Sequence, residues 1–205
     1  MERPKRNLED ILLSANIPEA YLEKCFDNFE TPTEEHAQFK DAVLKAMGRL
    51  FAGTTQGILL SGSCGAGKSH LLVAVLREYI LRRDLARAFF INVPQLFFDL
   101  KASFDPKSPY SERVILKRLR NTHLLALDDF GEGLKGDYAN EVIYSVISHR
   151  EFGGLPLLIS THHEPEAIIG IYSPAVYDRI MGMCEVIEVD LPSWRRRGEW
   201  SDESG

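Results

Sequence analysis

Apolar residues along the chain follow two alternating patterns. Short, nearly unbroken runs, Gly57-Ile58-Leu59-Leu60-Ser61, Ala88–Val93, His123–Asp128, Leu155–Ser160 and Val186–Val189, predict buried strands. Between these runs apolar positions recur at helical spacing. Phe39, Val43, Leu44 and Met47 predict a helix over 35–51, and Leu72, Val75, Leu76, Tyr79 and Ile80 another from Ser69 onward. Further helices are expected over Gln95–Phe104 and Ser111–Asn121, split by the turn Asp105-Pro106-Lys107-Ser108-Pro109. Another is expected over Tyr138–Glu151, with helical pieces near Glu164–Ile169 and Pro174–Met181. Residues 1–34 read as a short helix and then irregular chain, broken at Pro18 and Pro32. Strands alternating with helices predict an α/β fold, a parallel sheet flanked by helices. The expected organisation is a short N-terminal segment (1–34), a core (35–192) and a tail (193–205) that is basic and then acidic.

A chain of 205 residues suits one such domain and buries a full core without disulfides or metal. Its formal net charge of −6 gives no global attraction to nucleic acid or anionic membrane, so any such contact needs a local basic patch. Cys25, Cys64 and Cys184 are too scattered for a zinc motif, and their sparseness suits a reducing compartment. The apolar run Ile11-Leu12-Leu13 is too short for a signal-peptide core, and no later run reaches membrane-spanning length. These features predict a cytoplasmic protein.

The chemistry concentrates after the first strand. Gly62-Ser63-Cys64-Gly65-Ala66-Gly67-Lys68-Ser69 matches the phosphate-loop pattern G-x-x-x-x-G-K-[ST] in full. Its glycines let successive backbone N–H groups turn toward phosphate oxygens, and the following helix adds its positive end. Lys68 is placed to reach the β and γ phosphates of ATP, and the Ser69 hydroxyl to ligate Mg²⁺. His70, next in the chain, is grouped with the same nucleotide site. A second apolar strand ends in Asp128-Asp129, at the edge where parallel sheets bind ligands. Asp128 is assigned to Mg²⁺, and Asp129 to orienting and deprotonating the attacking water. Lys68 and Mg²⁺ are expected to keep both acids ionised. Leu157-Leu158-Ile159 runs into Ser160-Thr161-His162, any of which is a candidate to sense the γ phosphate or position water; for His162, a lone histidine after a strand is more often a loop residue.

In combination these motifs resemble the DnaC/DnaI/IstB group of AAA+ ATPases, the helicase loaders and transposition helpers. The stretch Ile17–Phe29 is similar to the group's lead-in, and Asp128-Asp129-Phe130-Gly131-Glu132 to its D-D-h-G-x-E signature. Val142–Arg150 resembles the helix that ends in arginine before the sensor strand. Val176-Tyr177-Asp178-Arg179-Ile180 looks like the box carrying an arginine finger, and Ser193-Trp194-Arg195 is similar to S-Y-R, which adds Arg195 to the nucleotide contacts. The resemblance implies a P-loop NTPase (AAA+) core with little or no C-terminal lid. It also implies ATP hydrolysis, a homo-oligomer in which Arg179 acts in trans, and a replicative helicase as partner. In two respects the sequence departs from the group. Histidine, at position 162, stands where the group usually has asparagine, and the residues before Phe26 are too few for the loaders' helicase-binding domain.

Residues 101–120 carry Lys101, Lys107, Arg113, Lys117, Arg118 and Arg120 against Asp105 and Glu112, six minus two, a local charge of +4. With Tyr110 beside them, these residues form a candidate surface for single-stranded DNA, which favours basic grooves with aromatic platforms. The plainer reading is a solvated helix face with Phe97 and Phe98 in the core. Arg195-Arg196-Arg197 reads as surface or nucleotide-sensing. Competing functional readings are a transposition helper acting on duplex DNA with a transposase, a nucleotide-binding scaffold without turnover, and a small-molecule kinase. No arginine-rich lid is legible for the last.

Overall fold

The computed structural model describes residues 7–82, 87–105, 107–109 and 111–193. Five strands form one sheet: β1 (Gly57–Gly62), β2 (Ala88–Asn92), β3 (Leu124–Asp128), β4 (Leu157–Thr161) and β5 (Cys184–Val189). Their order is β2-β3-β4-β1-β5, and every neighbouring pair is parallel. The helices are α1 (Leu8–Ser14), α2 (Glu34–Phe51), α3 (Lys68–Arg82), α4 (Val93–Ala102), α5 (Glu112–Asn121), α6 (Asp137–Phe152), α7 (Ala167–Ile171) and α8 (Pro174–Met183). Among the described residues no helix is long and apolar enough to cross a membrane.

Successive side chains of a strand point to opposite faces, and here both faces are covered. Ile58, Leu60, Phe90, Leu124, Ala126 and Leu158 pack on one side with Val43 and Met47 of α2 and Leu72 and Leu76 of α3. The intervening residues Leu59, Ile91, Leu125, Leu127 and Ile159 pack on the other with Leu96 of α4, Val142 and Val146 of α6 and Ile180 of α8. Strand boundaries differ modestly from the sequence expectation. β4 starts at Leu157 rather than Leu155, because the Pro156 carbonyl bonds to Arg150 instead of a neighbouring strand. β5 starts at Cys184 rather than Val186, because its pairing with β1 runs back to Gly57. Phe97 is buried, but Phe98 is 68% exposed, since the core face of α4 is the one carrying Val93, Leu96, Phe97 and Leu100.

The N-terminal segment shares this core. Leu12, Ala15, Ile17 and Phe29 are buried in the layer that holds α2 and α3. Phe90 N–H donates to the Ala15 carbonyl at 2.8 Å, and Asn16 Nδ2 donates to the Phe90 carbonyl at 2.9 Å. These bonds cover part of the edge strand β2, whose open backbone groups would otherwise invite pairing with another chain.

Arg150, at the end of α6, has no solvent exposure. Its Nη1 donates to the carbonyls of Leu119 (2.9 Å) and Thr122 (2.8 Å), and its Nη2 to those of His123 (3.2 Å) and Pro156 (2.7 Å). One guanidinium thus joins the end of α5 to the chain entering β3 and β4. Burial lowers its pKa to about 9, which leaves it protonated at neutral pH. Arg150→Ala strands these carbonyls and should cost on the order of 3 kcal/mol or more in urea unfolding. Arg150→Lys should recover only part of that loss, because one ammonium cannot fork to four acceptors. Lysine matching the parent would show that the fork is unimportant.

Candidate nucleotide-binding site

The phosphate loop lies between β1 and α3, as its sequence context requires. Ser63 Oγ donates to the Leu191 carbonyl at 2.6 Å and accepts from Leu191 N–H at 3.0 Å, fastening the loop to the chain after β5. Gly67 has φ +87°, and a Cβ there would fall 2.5 Å from Phe29 Cε2. Only glycine both adopts that backbone and lets the Phe29 ring pack against it. Lys68 Nζ donates to the carbonyls of Gly62 (2.8 Å) and Ser63 (2.7 Å), which sets the ammonium inside the curl of the loop.

At the carboxyl ends of the strands the polar side chains interlock. Ser69 Oγ donates to Asp128 Oδ1 at 2.8 Å, and Ser160 Oγ donates to the same oxygen. Burial pushes the Asp128 carboxyl up, and the hydroxyls of Ser160 and Ser69 oppose that shift. These two hydroxyls act beside the Lys68 and Mg²⁺ charges expected from the sequence. Ser69 and Asp128 bring hard oxygen donors together beside the loop, a set that fits Mg²⁺. Asp129 follows in a left-handed conformation, φ +53°, unusual for a residue other than glycine. This turn directs its Oδ2 to Asn92 Nδ2, 2.8 Å away, and its N–H to Ser160 Oγ at 3.3 Å.

A cavity of about 620 Å³ opens beside these groups. Lys68, Ser69, Asp129, Glu132 and His162 line one part of it, and Tyr21, Lys24 and Phe29 of the lead-in segment also face it. His70 lines it too, but its Nε2 is engaged by the Cys25 carbonyl (2.8 Å) and Asn28 Oδ1 (3.0 Å). Burial lowers the His70 pKa, so the ring is neutral. His162 Nε2 lies 3.0 Å from Glu132 Oε1, and the same oxygen is 2.8 Å from His163 Nε2. Asn92, Glu132 as a cavity wall, His163 and the lead-in aromatics were not identified as site residues from sequence. The signal for Asn92 was present, since it ends a strand as Asp128 does.

The IstB-like ATP binding protein family model matches residues 1–201. This chain belongs to that family. It is 27% identical to the Bacillus subtilis protein YqaM, over 96% of this chain and 65% of that protein. Against the replicative helicase loader DnaC of Escherichia coli it is 28% identical, over 63% of this chain and 52% of the loader. The chain therefore spans between half and two thirds of the length of these relatives. The crystal structure of the DnaC helicase loader superposes with a TM-score of 0.73 at 22% identity, covering 84% of this chain and 99% of that one. The shared fold is the P-loop AAA+ core, and the family is ATP-binding.

Arg179 and the described basic residues of 101–120 are not among those lining the cavity. Arg179, on α8, pairs with Glu151 Oε2 at 3.1 Å, and its Nη2 donates to the Tyr144 hydroxyl at 3.2 Å. Its guanidinium carbon sits 4.8 Å from the centre of the Tyr144 ring. Lys101, Lys107, Arg113 and Lys117 are exposed. Arg118 is also exposed; it donates to the Ser14 carbonyl at 2.8 Å and covers the Phe89 ring at 3.9 Å, and Arg120 donates to Ser145 Oγ. These contacts tie α5 to α1, β2 and α6. Tyr110, Arg195 and the rest of the arginine cluster lie outside the described residues.

Lys68→Ala removes the cation held in the loop. Affinity for a labelled ATP analogue should fall by roughly 10–100-fold, while the urea midpoint stays near that of the parent. Unchanged affinity would remove Lys68 from the phosphate site.

Proposed function

We propose that this protein binds MgATP and hydrolyses it, acting as an AAA+ accessory protein of DNA replication that contacts a replicative helicase and single-stranded DNA. The observation that carries the ATPase reading is the convergence of Lys68, Ser69, Asp128 and Asp129 on one strand edge. When bound, Mg²⁺ supplies charge neutralisation on the phosphate oxygens, held by the Ser69 hydroxyl and Asp128. Lys68 steadies the β and γ phosphates. Asp129 takes a proton from water as the water oxygen bonds to the γ phosphorus, and the β–γ bridging oxygen leaves with ADP. Asn92 holds the Asp129 carboxylate and so sets where it points. His162 stands where a γ-phosphate sensor is wanted, at the cavity wall. Arg179 lies outside the cavity lining, which favours action on a neighbouring subunit's nucleotide.

Asp129→Asn should retain nucleotide and lower turnover by a factor on the order of 10² or more. Mixing it with Arg179→Ala subunits should restore part of the activity through hybrid interfaces. Parent-level turnover in Asp129→Asn would place the base elsewhere, and absence of rescue would count against a finger in trans.

The match to the IstB-like model favours a second reading, a transposition helper that acts on duplex DNA with a transposase. The exposed residues Lys101, Lys107, Arg113 and Lys117 are the DNA surface on either reading. Changing all four to glutamate should weaken oligonucleotide binding and make its salt dependence shallower, because fewer counterions are released. Fluorescence anisotropy with single-stranded and duplex oligonucleotides across a salt series checks this. Preference for the single strand supports the loader reading, preference for duplex the helper, and parent-like binding by the quadruple variant removes the patch from both.

A further inference from the structure

Glu132, His162 and His163 bring one ligand atom each to within 4.8 Å of one another. We propose that this trio is a binding site for one transition-metal ion of the zinc class, separate from the Mg²⁺ oxygens of Ser69 and Asp128. Two imidazole nitrogens and a carboxylate oxygen are the donor set zinc accepts in sites that keep a position open to water or substrate. Magnesium prefers an oxygen shell, so the two sites select different ions.

Both Nε2 atoms lie within 3.0 Å of Glu132 Oε1. Tetrahedral zinc with bonds near 2.0–2.1 Å separates its ligand atoms by about 3.3 Å, so each imidazole nitrogen has to withdraw from that oxygen by only tenths of an ångström. Both imidazoles would then carry their proton on Nδ1, leaving Nε2 to the ion.

The trio is also positioned by the fold. Ser61 Oγ on β1 donates to the His163 carbonyl at 2.8 Å, and His163 N–H donates to Thr161 Oγ1 at 3.1 Å. The Thr161 hydroxyl in turn donates to the Phe130 carbonyl at 2.7 Å, tying the end of β4 to the turn that carries Glu132. Gly131 in that turn has φ +95°, and a Cβ there would meet His163 Cδ2 at 2.8 Å. Its bareness lets the ring lie against the turn. The two imidazoles sit 4.3 Å apart at 36°, facing the same carboxylate from consecutive positions. The side chains are 23–37% exposed, which gives an ion entry and room for a water.

His162 and Glu132 also line the nucleotide cavity, so an ion held here draws both toward itself at the cavity wall. That consequence for turnover rests on the ATPase reading; the site itself does not, and its test is one of binding. Cobalt(II) titrated into chelator-treated full chain should give a saturable visible d–d band at one ion per chain, and zinc, not magnesium, should displace it. His163→Ala and Glu132→Gln should each weaken cobalt binding by at least roughly tenfold. Glutamine preserves the size of Glu132, so that variant remains informative even if the alanine variant folds poorly. Zinc should also raise the melting temperature of the parent more than that of Glu132→Gln. Absence of a saturable band, a thiolate-to-cobalt charge-transfer band, or parent-like affinity in both variants would overturn the proposal.

Discussion

Burying both faces of a parallel sheet is the constraint from which the rest of this molecule follows. With apolar residues required on both sides of every central strand, polar chemistry is displaced to the strand ends. At the carboxyl edge stand Asn92, Asp128, Asp129, Thr161 and His162, each within three residues of an apolar run. The strand order puts β3, β4 and β1 side by side, so residues far apart in sequence become neighbours. The phosphate loop leaves the sheet at that same edge. Site and core therefore arise from one pattern.

Such crowding has an electrostatic cost, and the hydroxyls answer it. Asp128 is almost wholly buried, and its carboxyl is pushed up by that burial. Ser69 and Ser160 both donate to its Oδ1, a partial replacement for lost water. A divalent cation at Ser69 and Asp128 would complete the replacement, because an adjacent positive charge favours the ionised acid. Asp129, held by Asn92 in a left-handed backbone, is aimed independently of Asp128 although the two are adjacent. An extended conformation would send consecutive side chains to opposite faces; the turn brings the second acid round to the cavity.

Legibility in the sequence followed the range of the interactions. The phosphate loop was readable because its conformation depends on glycines within eight consecutive residues and on the flanking strand and helix. β1, β2, β3 and β4 are readable because burial on both faces leaves apolar runs, whereas the edge strand β5 is shorter in its apolar signal and carries Glu185 and Glu188. The start of β4 was misplaced because an arginine one helix away takes the Pro156 carbonyl. Arg118 and Arg120 read as surface charge, and their contacts with Ser14, Phe89 and Ser145, distant in the chain, are not legible locally. The packing of Phe29 against Gly67 and the bond from Asn92 to Asp129 are likewise tertiary, and no local pattern announces them. His163 has no local signal, because its approach to Glu132 depends on Gly131 and Ser61, both distant from it in the chain.

Arg179 shows how assembly and turnover could be joined on the proposed reading. Within the chain its guanidinium is already engaged: Glu151 pairs with it, the Ala175 carbonyl accepts from Nη1 at 3.0 Å, and Tyr144 offers both ring and hydroxyl. To reach a neighbour's γ phosphate it must give up at least some of these contacts. A phosphate group is a stronger partner than one half-exposed carboxylate, since charge-assisted bonds to it are bidentate and shielded from water. On that reading the exchange would become favourable once a nucleotide-loaded subunit docks beside α8, and until then Glu151 and Tyr144 would hold the guanidinium in its present orientation.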